Sequence, residues 1–414
     1  MRRLSARWVL PMDGAAIERG ALLIDAVGRV AAVGPDSAVP RPDDALVEDL
    51  GEGLLLPGLI NTHTHLELTG LEPSAPEADF AAWIREVRRR KAERDPEAFL
   101  FAACAGLRSC YATGVTTVAD TGDSGAAIQA LAESGGSGIA YHEVFGPHPD
   151  QLEDSMAGFT RRMETLCRSA GGRVRLGVSP HAPYSVSGGL YAAAAGWARA
   201  ERLPMAVHVA ESAAESALLA DGAGDFADAW RQRGIPLPEP LGDTPVQWLD
   251  RHGVLGPDVL CIHVVRAGPG DVELLARRGA AVAHCPVSNL AHGHGRAPLG
   301  ALLAAGIRVG VGTDSVLSVG RLDLLAEARL ARSLAGLDAM GALRLCTIAA
   351  AAAIGLGAET GSLSPGKWAD CVVLYPPSPA AAEDPAELAL ASGPDAVRLT
   401  ILGGKDVYRA GRFA

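Results

Sequence analysis

Lysine is scarce in this sequence, which contains only Lys91, Lys367 and Lys405 among its 414 residues. Arginine supplies most of the positive charge, and the net charge is still −11 at pH 7. One short basic run, residues 88–91, is interpreted as the solvent-exposed face of a helix. With no larger basic patch, neither a nucleic-acid-binding nor a membrane-binding protein is expected.

Paired cysteines and long apolar runs are also missing. The 7 cysteines include no Cys-x-x-Cys pair, and their odd number favours reduced, mostly buried thiols. The basic residues 1–3 are followed by Pro11 and Asp13 rather than by the apolar segment of a secretion signal. The longest alanine-rich run, residues 348–354, is too short to span a bilayer. We therefore expect a cytoplasmic protein.

From residue 54 onward, apolar runs alternate with amphipathic helical stretches, a pattern typical of βα units and a parallel sheet. Eight runs are predicted strands, at residues 54–60, 115–119, 138–144, 174–178, 205–209, 259–263, 281–284 and 308–312. Predicted helices between them include residues 80–94, 190–202, 271–278 and 322–334. Eight such units predict an α/β fold, a closed (β/α)8 barrel of the TIM type. A doubly wound sheet is the alternative.

The two ends of the chain do not follow this pattern. Residues 1–56 and 361–414 consist of short predicted strands and turns, of which residues 369–374 and 399–402 are the clearest. We expect both ends to pair into one small β-sandwich domain beside a barrel formed by residues 57–360.

Histidine is distributed unevenly along the chain. Of 11 histidines, five fall at or just beyond the C-terminal ends of predicted strands, namely His63, His181, His208, His263 and His284. Because TIM-barrel enzymes carry their active sites at this end of the barrel, we expect a catalytic site there.

Four of the strand-end residues form a candidate metal site. His63 and His65 lie two residues apart on a strand and therefore face the same side. The fifth strand adds His208, and the eighth adds Asp314, which could alternatively cap the following helix. Three imidazoles and one carboxylate suit one divalent ion, Zn²⁺ or alternatively Fe²⁺, with a position left for water. No lysine ends a barrel strand, so a lysine-bridged binuclear site is not expected.

Two further strand-end residues are candidates for proton transfer. Glu211 follows the fifth strand, although it could also be the solvated start of a helix. His263 ends the sixth strand and is expected to hydrogen-bond the attacking oxygen or the developing tetrahedral centre. A cysteine nucleophile is not expected, because His284 and Cys285 are strand neighbours that face opposite sides.

Together these segments resemble the amidohydrolase superfamily, in the branch of triazine hydrolases and S-adenosylhomocysteine-type deaminases. The resemblance rests on Pro-Gly-Leu-Ile-Asn-Thr-His-Thr-His at 57–65, His-Val-Ala-Glu at 208–211, His-Cys-Pro-Val-Ser-Asn at 284–289 and Gly-Thr-Asp-Ser at 312–315. Residues 65–69 and 80–84 are similar to aminodeoxyfutalosine deaminases of menaquinone biosynthesis. Relatives have Leu-Gly-x-Gly where this chain has His292 and His294, whose role stays unassigned.

The resemblance implies a ligand set of His63, His65, His208 and Asp314, with Asp314 also accepting the proton of the attacking water. It implies Glu211 and His263 as catalytic partners and places His181 against the substrate.

Four more residues are candidates for substrate contacts: Glu67, Trp83, Glu143 and Asn289. Trp83 is spaced with Ile84 and Val87 on a helix, so ordinary packing would explain it equally well.

The predicted activity is hydrolytic deamination of a 6-aminopurine nucleoside, a small molecule, to the 6-oxo product and ammonia. The candidate substrates are aminodeoxyfutalosine, adenosine, methylthioadenosine and S-adenosylhomocysteine. The same site could instead act on another C–N or C–Cl bond, in a triazine, guanine, cytosine or an amide, since fold and ligands do not determine the substrate. A non-catalytic scaffold is the distant alternative. Relatives are often dimers or larger, which leaves a homo-oligomer open.

Overall fold

The computed structural model describes residues 1–72, 80–376 and 384–411. The strands within these ranges are β1 (Arg2–Val9), β2 (Ile17–Ile24), β3 (Val30–Pro35), β4 (Leu46–Asp49), β5 (Leu54–Pro57), β6 (Leu59–Thr64), β7 (Val115–Gly122), β8 (Gly138–Val144), β9 (Val174–Pro180), β10 (Met205–Val209), β11 (Val259–His263), β12 (Ala281–His284), β13 (Val309–Val311), β14 (Cys371–Leu374), β15 (Val397–Leu402) and β16 (Lys405–Arg409). The α-helices are α1 (Phe80–Lys91), α2 (Pro96–Ala112), α3 (Ala126–Ser134), α4 (Leu152–Leu166), α5 (Gly188–Ala200), α6 (Ala213–Asp221), α7 (Gly224–Gln232), α8 (Pro245–Arg251), α9 (Pro269–Arg278), α10 (Pro286–Ala291), α11 (Leu299–Ala304), α12 (Val316–Val319), α13 (Leu324–Ala335), α14 (Ala339–Arg344), α15 (Ile348–Ala353) and α16 (Pro385–Ala391).

Strands β6 to β13 form a parallel eight-stranded sheet in chain order. Its first and last strands meet at their C-terminal ends, where Thr64 and Asp314 form a parallel bridge. Further down, the Ile60 and Val311 N–H groups each donate at 2.9 Å to the carbonyls of residues 345–346. Those two residues thus lie between β6 and β13 and complete the ring. The predicted (β/α)8 barrel is confirmed.

The prediction of one continuous strand at residues 54–60 is wrong, because the chain passes from one sheet to the other within this run. Leu54–Pro57 pairs with β1 and β14 in the second sheet, and the barrel strand starts only at Leu59. Gly58 lies between them, and a Cβ there would be 2.2 Å from Thr116 Oγ1. Only glycine fits so close an approach. The run does contain Pro57-Gly58, a dipeptide typical of turns, but the buried apolar residues on both sides of it favoured one continuous strand.

Both ends of the chain build the second sheet, in the order β16-β15-β14-β5-β1-β2-β3 with β4 beside β1. Its pairs are antiparallel except β1 with β4 and with β5. Side chains from both ends, including Leu4, Leu22, Val373 and Ile401, share one buried cluster. The predicted fold class, a barrel with a small β domain formed by both chain ends, is confirmed. The exact domain boundaries at residues 56/57 and 360/361 stay a prediction.

The structure also bears on two predictions from the sequence, the state of the cysteines and the absence of a membrane-spanning segment. All cysteines of the chain are free thiols, and five of them are buried. In the part of the chain that the structure describes, no helix combines the length and apolar character needed to cross a bilayer.

A buried ion pair joins the barrel to the small domain. Arg173, next to β9, donates to both carboxylate oxygens of Asp370, next to β14. The same carboxylate accepts hydrogen bonds from the Thr360 hydroxyl at 2.8 Å and the Gly403 N–H at 2.9 Å. The Asp370 side chain is only 1% exposed, so its loss would leave several buried donors without a partner.

We expect Asp370→Asn to lower the free energy of unfolding by about 3 kcal/mol, the scale of a broken buried ion pair. Urea unfolding measures the change. The matched control is Asp228→Asn, which removes an exposed pair with Arg231 within one helix and should cost no more than about 0.5 kcal/mol. Equal losses in the two variants would contradict a structural role for the Asp370 contacts.

Candidate active site

Three histidine rings converge at the C-terminal end of the barrel. His63 and His65 come from the end of β6, and His208 comes from β10. The ring centroids are 4.7 Å apart for His63 and His65, 4.9 Å for His63 and His208, and 5.5 Å for His65 and His208. One nitrogen of each ring lies within 4.8 Å of the other two. This spacing allows all three rings to bind one metal ion.

The Asp314 carboxylate faces two of these rings from the end of β13. Its Oδ1 lies 3.6 Å from His63 Nε2 and 3.4 Å from His65 Nε2. Its Oδ2 accepts hydrogen bonds from the hydroxyls of Ser288, at 2.6 Å, and Ser318, at 2.9 Å. These hydroxyls fix the carboxylate and leave Oδ1 available. Sequence reasoning assigned no role to either serine.

Hydrogen bonds orient the rings so that one nitrogen of each stays available. His65 Nδ1 lies 2.8 Å from the Thr121 carbonyl, and His208 Nδ1 lies 3.2 Å from the His181 carbonyl. Each Nδ1–H can donate there, which directs Nε2 to the site. His63 is fully buried, and neither of its ring nitrogens has a hydrogen-bond partner among the described residues.

The electrostatics of the site also favour a metal ion. Burial lowers the pKa of His65 to about 3 and that of His208 well below its usual value. The rings are therefore neutral, the form that binds metals. Burial alone would raise the pKa of Asp314, but His63 and His65 hold it well below the usual range. An orphaned buried imidazole, two more neutral imidazoles and an ionised carboxylate fit a divalent cation.

A second group of donors overlaps the first one. Glu143, His181 and His208 also place one atom each within 4.8 Å of one another. His208, however, has its Nδ1 committed to a backbone carbonyl, so its Nε2 can serve only one ion. Without it, Glu143 Oε1 and His181 Nε2 remain, 4.0 Å apart, and two ligands are too few for a closed metal site. A second metal ion is therefore not expected here, and the contact of this pair with the substrate stays a prediction.

Glu211 and His263 lie side by side next to the imidazoles. Glu211 Oε1 is 3.5 Å from His263 Nε2, and His263 Nδ1 is 3.0 Å from Asn289 Oδ1. Burial alone would raise the pKa of Glu211, but His263 and His294 hold it at about 2. Glu211 is therefore ionised at neutral pH. Asn289 thus orients the His263 ring, and its predicted contact with the substrate stays a prediction.

The backbone that carries Glu211 is held by Glu215, which sequence reasoning missed. The fully buried Glu215 carboxylate accepts from the Ala210 N–H at 2.9 Å and from the Glu211 N–H at 2.8 Å. A signal was present, because Ser212-x-x-Glu215 has the form of a helix capping box. That pattern predicts a contact with Ser212 and gives no hint of the contact with the strand end.

Glu67, another candidate substrate contact, is paired inside the protein. Its carboxylate accepts from Lys91 Nζ at 2.6 Å, from the Ser124 N–H at 3.2 Å and from the Ser124 hydroxyl. Lys91 also bonds Asp123 at 2.5 Å. The interpretation of residues 88–91 as a solvent-exposed face is therefore wrong for Lys91. Its partners are distant in sequence, so the local charge run could not reveal them.

The remaining predicted substrate contacts lie around the mouth of the barrel. Phe145, which is 39% exposed, packs on His181 with ring centroids 4.9 Å apart. Trp83 packs on His292 at 4.6 Å. Among the described residues, neither Glu143 Oε1 nor Trp83 Nε1 has a hydrogen-bond partner. Buried polar atoms without partners at the rim of a site are available for a ligand.

Residues 54–407 match the family described as Amidohydrolase family. The chain belongs to this family. A 5-methylthioadenosine/S-adenosylhomocysteine deaminase of Nitratidesulfovibrio vulgaris is 32% identical, over 96% of this chain and 89% of its own. An aminodeoxyfutalosine deaminase of Deinococcus radiodurans is 33% identical over 79% of each chain. The predicted family, and with it the prediction of a hydrolytic enzyme, is confirmed.

Solved structures share the fold of this amidohydrolase. An adenosine deaminase of Xanthomonas campestris with bound zinc superimposes with a TM-score of 0.83, over 98% of this chain and 92% of its own. The sequence identity is 24%, so this likeness bears on the fold alone.

We expect the purified amidohydrolase to contain about one divalent metal ion per chain, the number that one set of four ligands holds. In His208→Ala the loss of one imidazole should weaken metal binding about 100-fold or more, which leaves the dialysed protein nearly metal-free. Elemental analysis measures both. The control is His148→Ala, since His148 lies at the turn Pro149–Gln151 and bonds the Asp150 N–H. A His208→Ala protein with its metal intact would contradict the ligand set.

Proposed function

We propose that this amidohydrolase deaminates 6-aminopurine nucleosides to the 6-oxo product and ammonia. The observation that carries the proposal is the ionised Glu211, held 3.5 Å from His263 beside the converging imidazoles. A carboxylate in this place can move a proton to a ring nitrogen next to the reacting carbon. Two relatives that match most of the chain are named as deaminases of adenine nucleosides, which supports this choice of substrate.

The proposed ligands are His63, His65, His208 and Asp314, which together would hold one divalent ion. Three imidazole nitrogens and one carboxylate oxygen suit Zn²⁺ in particular, so we propose zinc rather than iron. When bound, the ion supplies Lewis acidity and makes water a nucleophile near neutral pH.

The side chains around the substrate would divide the proton transfers among them. Asp314 Oδ1 accepts one proton from the attacking water, and His263 Nε2 is within reach of the attacking oxygen. The ionised Glu211 takes the other proton of that water and delivers it to the ring nitrogen beside C6 as the C6–O bond forms, which restores the carboxylate. The proton on Asp314 then passes to the amino group, the C6–N bond breaks and ammonia leaves. Water and the aminopurine are thus consumed, and the 6-oxo purine and ammonia are the products.

The rest of the nucleoside would lie toward Glu143, His181 and Trp83. Burial raises the pKa of Glu143 well above its usual value, so this carboxyl can donate as well as accept hydrogen bonds. Such a group suits sugar hydroxyls, which are both donors and acceptors. The exposed ring of Phe145 beside His181 offers an apolar surface for a 5′ substituent. We therefore propose aminodeoxyfutalosine and the 5′-thioadenosines as the leading substrates.

The test is ammonia release by the zinc-loaded protein from a panel of substrates. The panel holds aminodeoxyfutalosine, methylthioadenosine, S-adenosylhomocysteine, adenosine, guanine, cytosine and a chlorotriazine. We expect ammonia from the 6-aminopurine nucleosides, with kcat/KM ranking them. Glu211→Gln should lower kcat about 100- to 10,000-fold, the size of general acid–base catalysis, while the metal content stays the same. His148→Gln is the matched control and should keep full activity.

Two results would contradict the proposal. If the fully metal-loaded protein releases no ammonia from any 6-aminopurine, purine nucleoside deamination is excluded. The hydrolase then removes a different leaving group from another kind of substrate. Full activity in Glu211→Gln would exclude the proposed proton transfer even if the substrate class is right.

A further inference from the structure

The segment from His292 to His294 brings two imidazoles to the catalytic carboxylates, although neither has a place in the proton transfers above. His294 Nε2 lies 3.5 Å from Glu211 Oε1, the same oxygen that His263 Nε2 approaches at 3.5 Å. The His294 side chain is 5% exposed, and its buried Nε2 has no hydrogen-bond partner among the described residues, so Glu211 at 3.5 Å is the acceptor it approaches. Glu211 is thus flanked by an imidazole on each of two sides.

The two flanking imidazoles differ in what they can offer to Glu211. When the His263 ring is neutral, its single proton lies on Nδ1, which faces the Asn289 Oδ1 acceptor at 3.0 Å. Its Nε2 then has a lone pair and cannot donate to a carboxylate. The structure gives His294 Nδ1 no such acceptor in the described residues, and the neutral ring is free to carry its proton on Nε2. Of the two rings, His294 is therefore the one able to donate to Glu211.

Packing and backbone contacts hold the His294 ring in place. Its centroid is 4.5 Å from that of Phe80, edge to face, and 5.4 Å from that of His292, nearly parallel. The His294 N–H donates to the Asn289 carbonyl at 2.9 Å. Gly293 between the histidines has φ 70°, a left-handed conformation that glycine adopts readily. The ring is therefore fixed in advance rather than free to turn away from the carboxylate.

The neighbouring histidine is tied to the other carboxylate of the site. His292 Nε2 lies 3.1 Å from Ser318 Oγ, and that hydroxyl donates to Asp314 Oδ2 at 2.9 Å. Because the hydroxyl has only one proton, His292 must be the donor in the first contact. His292 is thus fixed by its own hydrogen bond, and its ring packs against that of His294.

We propose that His294 is a positioning residue for Glu211, donating its Nε2–H to Glu211 Oε1 and so fixing the carboxylate for proton transfer to the substrate. This inference rests on the proposed deamination. With one oxygen held by His294, the other oxygen of Glu211 stays directed at the substrate. His294 itself transfers no proton to the substrate, and of the groups proposed to react it contacts only the carboxylate.

Two substitutions separate hydrogen bonding from packing. His294→Phe keeps an aromatic ring against Phe80 but has no donor, whereas His294→Gln keeps an N–H donor near the position of Nε2. We expect kcat to fall about 10- to 100-fold in His294→Phe, as for a lost hydrogen bond to a charged group. The kcat of His294→Gln should stay within about 3-fold of the wild-type value, because the hydrogen-bond donor is kept. KM and metal content should change little in either variant, and His148→Gln is the control.

The opposite ranking would overturn the proposal. An active His294→Phe with an inactive His294→Gln would mean that the ring only fills space. Equal activity in both variants, whether full or lost, would likewise exclude the donor role.

A second measurement does not require turnover. In zinc-loaded protein labelled with ¹⁵N-histidine, the resonances of His294 are assigned by their loss in His294→Phe. We expect Glu211→Gln to shift the His294 Nε2 resonance, and an unshifted resonance would overturn the pairing. If the wild type releases no ammonia from any aminopurine while this shift is seen, the proposed function fails and the contact between His294 and Glu211 stands.

Discussion

The active site depends on the contact that closes the barrel. The first and last strands meet where Thr64 bridges Asp314, and the N–H groups of Thr313 and Asp314 both donate to the His63 carbonyl at 3.0 Å. Asn61 strengthens the same junction through hydrogen bonds to Thr313 of 2.8 and 3.1 Å. Two candidate ligands from opposite ends of the barrel sequence thus become neighbours only when the ring closes. A chain that failed to close its sheet would lose the site along with the fold.

The strand ends that form the site also carry unfavourable backbone conformations. Ala210, His263 and Asp314 all have positive φ, at 52°, 73° and 58°, and each such residue costs on the order of 1–3 kcal/mol. Buried hydrogen bonds beside them offset this cost. Glu215 accepts two N–H groups at residues 210–211, and Ser288 with a second serine holds Asp314. The turns direct the candidate catalytic side chains inward, where continued strands would direct them to alternate faces.

The sequence was sufficient for features that depend on local pattern. Eight apolar runs predicted the barrel, and the polar residues at their ends predicted which side chains meet, because parallel strands bring their C-terminal ends together. It was insufficient where the partner is distant in the chain. The pairing of Lys91 with Glu67 and the role of Ser318 beside Asp314 arise only from tertiary contacts. The change of sheet at Gly58 was signalled only by the Pro57-Gly58 dipeptide, and the buried apolar residues on both sides of it favoured one continuous strand.

The way the site is divided between strands and peripheral segments explains why its substrate was harder to predict than its chemistry. The candidate ligands and proton donors follow rigid, mutually bonded strands, whose C-terminal ends meet at one place in the barrel. The residues proposed to face the substrate come from other places: Trp83 from α1, and Phe145 and His181 from loops after strands. Such segments change without disturbing the barrel. His294 lies between the two sets, since it comes from a loop and yet contacts Glu211 in the catalytic core. If His294 positions Glu211 as proposed, a change in this one loop alters the rate of the chemical step while the strands of the barrel stay the same.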